Sequence, residues 1–257
     1  MNLKRRYFHG AVRALGIIAV TLGLGALMPF GNRRRIAARW CGFCYRALDI
    51  QIEINGEPLA NGPAMLVGNH ISYVDILLLG AAMDTPTFVA KSDVASWPLI
   101  GPLAGLAGVV FVRRDRPEEA KEQIKALSER LEKSERLVLF PEGTSSDGLD
   151  VLPFKSTLLG AVFGRDGGVP DTPVQSFTVD FRRRPDGTLH RPEERARFGW
   201  VGDATLLPHV WDMLSGPGAI ATITFDTPIR ADTFANRKRL SDALYDRIRN
   251  EVVGTGT

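Results

Sequence analysis

Residues Ala64 to Leu79 read AMLVGNHISYVDILLL, an apolar run that stops at two polar residues and then resumes. Ala64 to Val67 has the length and composition of a buried strand. Gly68-Asn69 ends it, and the apolar run that restarts at Val74 has helical character. His70 and Asp75 lie between. On one continuous helix, five residues of separation would leave their side chains roughly 140° apart. They meet only if His70 sits in a loop and Asp75 in the first turn of the helix after it. Ser72-x-x-Asp75 before an apolar run is a capping-box signature, with Ser72 as N-cap and Asp75 at the third helical position. A carboxylate placed there points back toward the loop that carries His70.

A neutral imidazole oriented by a carboxylate removes a proton from a poor nucleophile such as an alcohol. The carboxylate fixes the tautomer and stabilises the imidazolium that forms. The spacing alone is not specific, because Asp75 can serve as a helix cap and His70 as an ordinary loop residue. The rest of the chain has to decide.

Charge is distributed unevenly. Nine of the 32 Lys and Arg residues fall within the first 46 positions, where there is no Asp or Glu; the remaining 23 face all 29 acidic residues. A basic N-terminus on an otherwise acidic chain argues against a nucleic-acid partner and for anionic lipid headgroups. Ala14 to Asn32 is a run of nineteen uncharged residues. As a helix it reaches roughly 28 Å, close to the hydrocarbon thickness of a bilayer. Gly16, Gly23, Gly25 and Pro29 dilute it, and Arg33-Arg34-Arg35 follows at once. No small-x-small cleavage site precedes Pro29, which reads against a removable leader. Basic flanks on both sides leave the orientation open. A helical hairpin dipping into one leaflet, with both ends cytoplasmic, accounts for both flanks; residues 1–48 are therefore expected to anchor the chain and residues 49–257 to form the working domain.

Trp40-Cys41-Gly42-Phe43-Cys44 has the look of a thiol redox motif. Such motifs need a strand before and a helix after them. Here the segment is basic and aromatic, and no second ligand pair is near enough for zinc. Two small apolar residues on an interfacial helix is the simpler reading. With only two cysteines there is no disulfide framework, in keeping with a reducing, cytoplasmic setting.

Beyond the anchor, strand patterns at Ile50–Ile54, Pro86–Ala90, Val109–Val112, Arg136–Phe140, Val174–Phe181 and Ala219–Phe225 alternate with helical ones, which points to one α/β domain. The clearest helix begins at Pro117, with Ala120, Ile124, Leu127 and Leu131 in one apolar stripe. Further helices are expected over Phe154–Phe163, Asp203–Leu214 and Asn236–Val253. Trp97 to Gly108 is an apolar patch punctuated by Gly and Pro that suits either an alkyl slot or close packing. Arg182 to Arg197 reads as a charged loop of no evident purpose. The strand at Arg136–Phe140 opens into Pro141-Glu142-Gly143-Thr144-Ser145-Ser146, a carboxylate and hydroxyls on a glycine-containing loop, where sites in α/β sheets commonly lie.

With Asn69-His70-Ile71-Ser72-Tyr73-Val74-Asp75 and Phe140-Pro141-Glu142-Gly143-Thr144 both present, residues 63 to 180 resemble the 1-acylglycerol-3-phosphate O-acyltransferase family, a glycerolipid acyltransferase superfamily. The first stretch resembles its catalytic N-H-x4-D motif. Gly108 to Arg114 resembles its arginine-ending motif, with Arg114 at the substrate-binding position. Phe140 to Thr144 resembles its F-P-E-G-T acceptor motif, and Pro173-Val174 its weak fourth motif. Lys91 and Lys155 fall where the family often has lysines. The resemblance implies a mixed β-sheet flanked by helices behind an N-terminal membrane-associating segment. It also implies His70 as base with Asp75 behind it, and an acceptor bound by Asn69, Glu142, Gly143, Thr144 and Ser145, with Arg114, Lys91 and Lys155 helping. Direct transfer from acyl carrier protein or coenzyme A thioester is expected, with no metal or bound cofactor. No G-x-S-x-G elbow suggests an acyl-enzyme. Backbone N–H groups at the Asp75 helix start or Gly143 are candidate oxyanion donors.

One departure is informative. Lysophosphatidate enzymes usually continue F-P-E-G-T with arginine and serine, whereas this chain has Ser145-Ser146. Loss of a planar bidentate cation weakens the case for a phosphomonoester acceptor. EGTSSDG, VLPFKS and the Trp200-to-His209 segment are more similar to bacterial lyso-ornithine lipid acyltransferases. Lysophosphatidate remains an alternative acceptor, with Arg113, Arg114 or Lys155 compensating. A non-catalytic lipid-binding membrane protein and a thiol redox protein are the rival classes. The expected location is the cytoplasmic face of the inner membrane.

Overall fold

The computed structural model describes residues 3–254, apart from Thr85, Leu99, Arg114 and Asp115. Two helices come first, α1 (Leu3–Leu27) and α2 (Arg33–Ala47), followed by β1 (Ile50–Asn55), β2 (Ala64–Gly68) and α3 (Tyr73–Ala82). Then come β3 (Thr87–Lys91), α4 (Ile100–Leu106), β4 (Val110–Val112), α5 (Ala120–Glu132) and β5 (Arg136–Leu139). The chain closes with β6 (Pro173–Arg183), α6 (Pro192–Ala196), α7 (Leu206–Ser215), β7 (Ala219–Phe225), β8 (Ile229–Arg230) and α8 (Arg237–Gly254). Beyond residue 48 the expected strands and long helices are present, with ends shifted by no more than three residues, whereas the helix expected over Ala14–Asn32 runs Leu3–Leu27. The Phe154–Phe163 helix is instead a 3-10 segment, Thr157–Val162.

The strands form one sheet in the order β1-β7-β6-β2-β5-β3-β4, with β8 paired to the start of β6. Strands β6, β2, β5, β3 and β4 run parallel, whereas β7 is antiparallel to β6 and carries β1 with it. The sheet is therefore mixed. Strand β2 sits near its middle with no exposed residue, and its side chains alternate between two cores. Leu66 joins Val138, Phe140, Phe177 and the buried faces of α2, α3 and α7. Met65 and Val67 join Leu137, Leu139 and the stripes of α5 and α8. Phe177 packs so tightly over Gly68 that a Cβ there would lie 2.2 Å from the ring. Glycine is thus required where β2 gives way to the loop carrying His70.

Helix α1 is long and apolar enough to cross a membrane, but Arg6, Arg13 and Thr21 bond to the rest of the protein. Arg6 donates to Ser215 O at 2.9 Å and to Asp212 at 2.8 Å, and Arg13 to Leu214 O at 3.0 Å, all at the end of α7. Trp40 Nε1 on α2 donates to Thr21 Oγ1 at 2.8 Å. The outward side is apolar: Phe8, Leu15 and Leu22 are each at least 60% exposed, and Leu207 on α7 is 79% exposed. An apolar surface of this extent, shared by two helices, suits a lipid boundary. Cys41 and Cys44 pack α2 against α3; both are buried and unbridged, and burial pushes their thiols up to about 12. Almost no thiolate exists there at neutral pH, so the redox reading has no chemical support.

Candidate active site

Because β2 and β5 are parallel neighbours, their carboxyl ends open onto the same sheet edge, and the two motif loops emerge side by side. Ser72 caps α3, its Oγ accepting from Val74 N at 3.2 Å, while Asp75 reaches back to Ser72 N at 3.0 Å. The carboxylate is fully buried and concentrates its bonds on one oxygen. Asp75 Oδ2 accepts from Ile71 N at 2.7 Å and Ser72 N at 3.0 Å, and lies 2.8 Å from His70 Nδ1. The other oxygen, Oδ1, is buried with no hydrogen-bond partner among the described residues. With Nδ1 donating to the carboxylate, His70 presents Nε2 as the acceptor. The ring stacks on Phe140 with centroids 4.2 Å apart, its side chain 18% exposed. Nε2 has no partner among the described residues.

Glu142 is buried and bonds only to backbone. Oε1 accepts from His70 N at 2.6 Å and Oε2 from Leu152 N at 2.8 Å. Desolvation is the main cause that pushes its carboxyl up to about 7, and the two N–H bonds only partly offset it. Asn69 is likewise occupied, since its amide donates to Val179 O at 3.0 Å and accepts from Val179 N at 2.8 Å, prolonging the β2–β6 ladder. Both side chains hold the loop in shape. Ser146 adds a strap, its backbone N donating to His70 O at 2.8 Å, and Trp200 N donates to Ile71 O at 3.0 Å.

The remaining predicted residues are more scattered. Thr144 is exposed beside the catalytic pair. Ser145 Oγ donates to Trp200 O. Gly143 adopts a left-handed φ of 79°, and the exposed Lys155 chain lies over it, 3.1 Å from where a Cβ would be. Lys91, at the end of β3, pairs with Asp93. Arg114 lies outside the described residues. Ile71 N, Ser72 N, Val74 N and Gly143 N are already bonded within the chain, whereas Tyr73 N at the α3 start makes no such bond among the described residues. Among the described residues the amides of Thr144 and Ser145 make no such bond.

Two features were not read from the sequence. Tyr73, Trp97 and Trp200 form an edge-to-face aromatic group beside Ser145, with Tyr73 hydroxyl 3.1 Å from His209 Nδ1. Across the sheet edge, a cavity of about 210 Å³ beside Phe140 and Gly143 is lined by Arg113, Arg116, Lys155 and Arg237. No local pattern could have revealed either, because their members are brought together from distant parts of the chain.

A half-buried imidazole held by a buried carboxylate, with an open Nε2 beside a cationic cavity, is suited to acylating a hydroxyl on an amphiphile. A family model described as Acyltransferase matches residues 51–176. A lyso-ornithine lipid O-acyltransferase of Rhizobium meliloti is 36% identical over 225 residues, covering 84% of this chain and 74% of the relative. One from Brucella abortus is 32% identical over 252 residues, covering 93% and 94%. A 1-acyl-sn-glycerol-3-phosphate acyltransferase of Neisseria gonorrhoeae is 33% identical over 232 residues, covering 90% and 85%. The crystal structure of the 1-acyl-sn-glycerophosphate (LPA) acyltransferase PlsC from Thermotoga maritima shares the fold, with a TM-score of 0.69 over the whole of both chains at 17% identity. The chain belongs to the acyltransferase family. It is an enzyme, and the non-catalytic lipid-binding reading falls away.

Proposed function

We propose that this enzyme acylates the free hydroxyl of lyso-ornithine lipid, using acyl carrier protein or coenzyme A thioester as donor. The observation that carries the chemistry is the 2.8 Å contact between His70 Nδ1 and Asp75 with Nε2 left open. Nε2 takes the hydroxyl proton, and the oxygen attacks the thioester carbonyl. The new C–O bond forms, the C–S bond breaks, and the imidazolium returns its proton to the departing sulfur. The amides of Thr144 and Ser145, unbonded among the described residues, serve as oxyanion donors.

The acceptor assignment is supported by the similarity to the Rhizobium and Brucella lyso-ornithine lipid O-acyltransferases and by Ser145, which stands where a phosphate-pairing arginine is usual. A second reading has a specific observation behind it. The cavity carrying Arg113, Arg116, Lys155 and Arg237 suits a phosphate, either on 1-acyl-sn-glycerol-3-phosphate or on a coenzyme A donor. The inward-facing Arg6, Arg13 and Thr21 fit an α1 that lies in the plane of one leaflet, at the cytoplasmic face of the inner membrane. The test is thioester-dependent acylation of lyso-ornithine lipid and lysophosphatidate side by side, with each donor. Faster turnover of lysophosphatidate with both donors overturns the acceptor assignment.

A further inference from the structure

The stretch between β6 and α7 encloses a cavity of about 280 Å³ that the acyl-transfer chemistry leaves unused. Its walls come from four elements. Arg6 belongs to α1, Arg184 follows β6, Glu194 and Arg197 belong to and follow α6, and Asp212 lies on α7. His190 completes the lining. Its side chain is only 2% exposed, and both ring nitrogens are buried with no hydrogen-bond partner among the described residues. The nearest carboxylate oxygen, on Glu194, is 3.9 Å from Nδ1, beyond hydrogen-bond range.

A buried imidazole with neither nitrogen bonded is costly unless a ligand or water meets it. The surrounding charge indicates the ligand's sign. Asp212 joins Arg6 at 2.8 Å to Arg197 at 3.2 Å, and Glu194 pairs with Arg184. Three guanidinium groups against two carboxylates leave one positive charge in excess, before His190 is counted. Each arginine also keeps N–H groups beyond those used in its pairs. The volume lies near the lower end of the roughly 300–1,000 Å³ range of ligand pockets, fitting a headgroup better than a whole lipid.

Its position indicates the source. Arg6 directly precedes Tyr7 and Phe8, which are exposed on α1, and Tyr7 stacks on Trp211 of α7 with centroids 6.1 Å apart. The cavity thus adjoins the surface most suited to lipid. We propose that it binds a phosphate group, supplied by the headgroup of an anionic membrane lipid, with His190 and the three arginines as its donors. Burial and the nearby Arg184 keep the empty imidazole neutral. It can therefore donate from one nitrogen without repelling the cations around it.

The full chain can be tested by sedimentation with three kinds of vesicle: a neutral, phosphate-free digalactosyl lipid alone, the same lipid with phosphatidylglycerol, and the same lipid with oleate at matched surface charge. Binding to the phosphatidylglycerol vesicles should exceed that to the oleate vesicles by about fivefold, the effect expected of a single well-placed cation. His190→Leu, which leaves the formal charge unaltered, should erase that excess and leave binding to the galactolipid alone unaltered. Arg184→Gln, on the exposed side of the cavity, should reduce it and guards against a folding defect in the histidine variant. Equal binding to the oleate and phosphatidylglycerol vesicles, or an excess that survives both substitutions, overturns the proposal. Thermal stabilisation by inorganic phosphate that His190→Leu abolishes, with no vesicle preference, overturns the lipid source and assigns the cavity to free phosphate.

Discussion

Glu142 holds His70 by its backbone and not by its ring: Oε1 accepts from His70 N at 2.6 Å, while the imidazole is held separately by Asp75 at 2.8 Å. Two loops that follow neighbouring parallel strands are thus joined at the proposed base. The glutamate of the Phe140–Thr144 motif holds the loop that carries it, and this gives Glu142 a different expected signature from an acceptor-binding group.

Glu142 binds a proton more tightly in the folded protein than in the unfolded chain, with its carboxyl pushed from the usual 4.5 up to about 7. Its contribution to stability is therefore complete below about pH 4.5 and is lost as pH rises through 7. Across that window the wild type should lose about 3 kcal/mol that a Glu142→Gln variant does not lose. Urea unfolding of both proteins from pH 4 to 8 measures the difference in slope; parallel curves would contradict the assignment.

The pair itself should separate chemistry from folding. His70→Ala should slow acyl transfer by roughly 10²- to 10⁴-fold with little change in melting temperature. Asp75→Ala should do more, because its oxygen also holds Ile71 N and Ser72 N. A further loss of about 2–4 kcal/mol in unfolding free energy is expected. Near-normal turnover in the histidine variant would rule out Nε2 as the base.

Leu15 is 67% and Leu22 60% exposed on the outer side of α1. Leu15→Glu and Leu22→Glu should each lower vesicle affinity by at least about tenfold while leaving helix content intact. Circular dichroism and vesicle sedimentation read the two effects separately. Unaltered sedimentation of the double variant would remove this face from membrane binding. Truncating residues 1–35 is a poorer test, because it uncovers α7 and cuts into α2 ahead of the buried Ile36.

Ser145→Arg restores the residue usual in phosphate-accepting relatives and breaks the bond to Trp200 O. The ratio of turnover on lysophosphatidate to that on lyso-ornithine lipid should rise several-fold. A constant ratio in competition assays would show that position 145 does not select the acceptor.

Much of the fold was legible because β2, β5 and β7 are short apolar runs between turn residues, and α5 has a single clean stripe. The meeting of His70 and Asp75 followed from spacing and a capping signature alone. What the sequence did not disclose has separate causes. Helix α4 is only seven residues long and lies within a Gly/Pro-rich patch whose period is too short to register. The segment expected to be a helix before Phe163 winds as 3-10 turns, since Leu158, Leu159, Ala161 and Val162 are all buried and leave no polar face. The loop at Arg182 to Arg197 looked purposeless because Asp180, which pairs with Arg195 at 3.0 Å, lies in the strand before it.

Among the described residues Asp75 Oδ1 stands in the interior with no hydrogen-bond partner, and all three contacts of the carboxylate fall on Oδ2. The atom that sets the angle of the His70 ring is therefore the atom that closes the start of α3. Any shift of that helix turns the imidazole with it, so the scaffold and the proposed base cannot be adjusted independently.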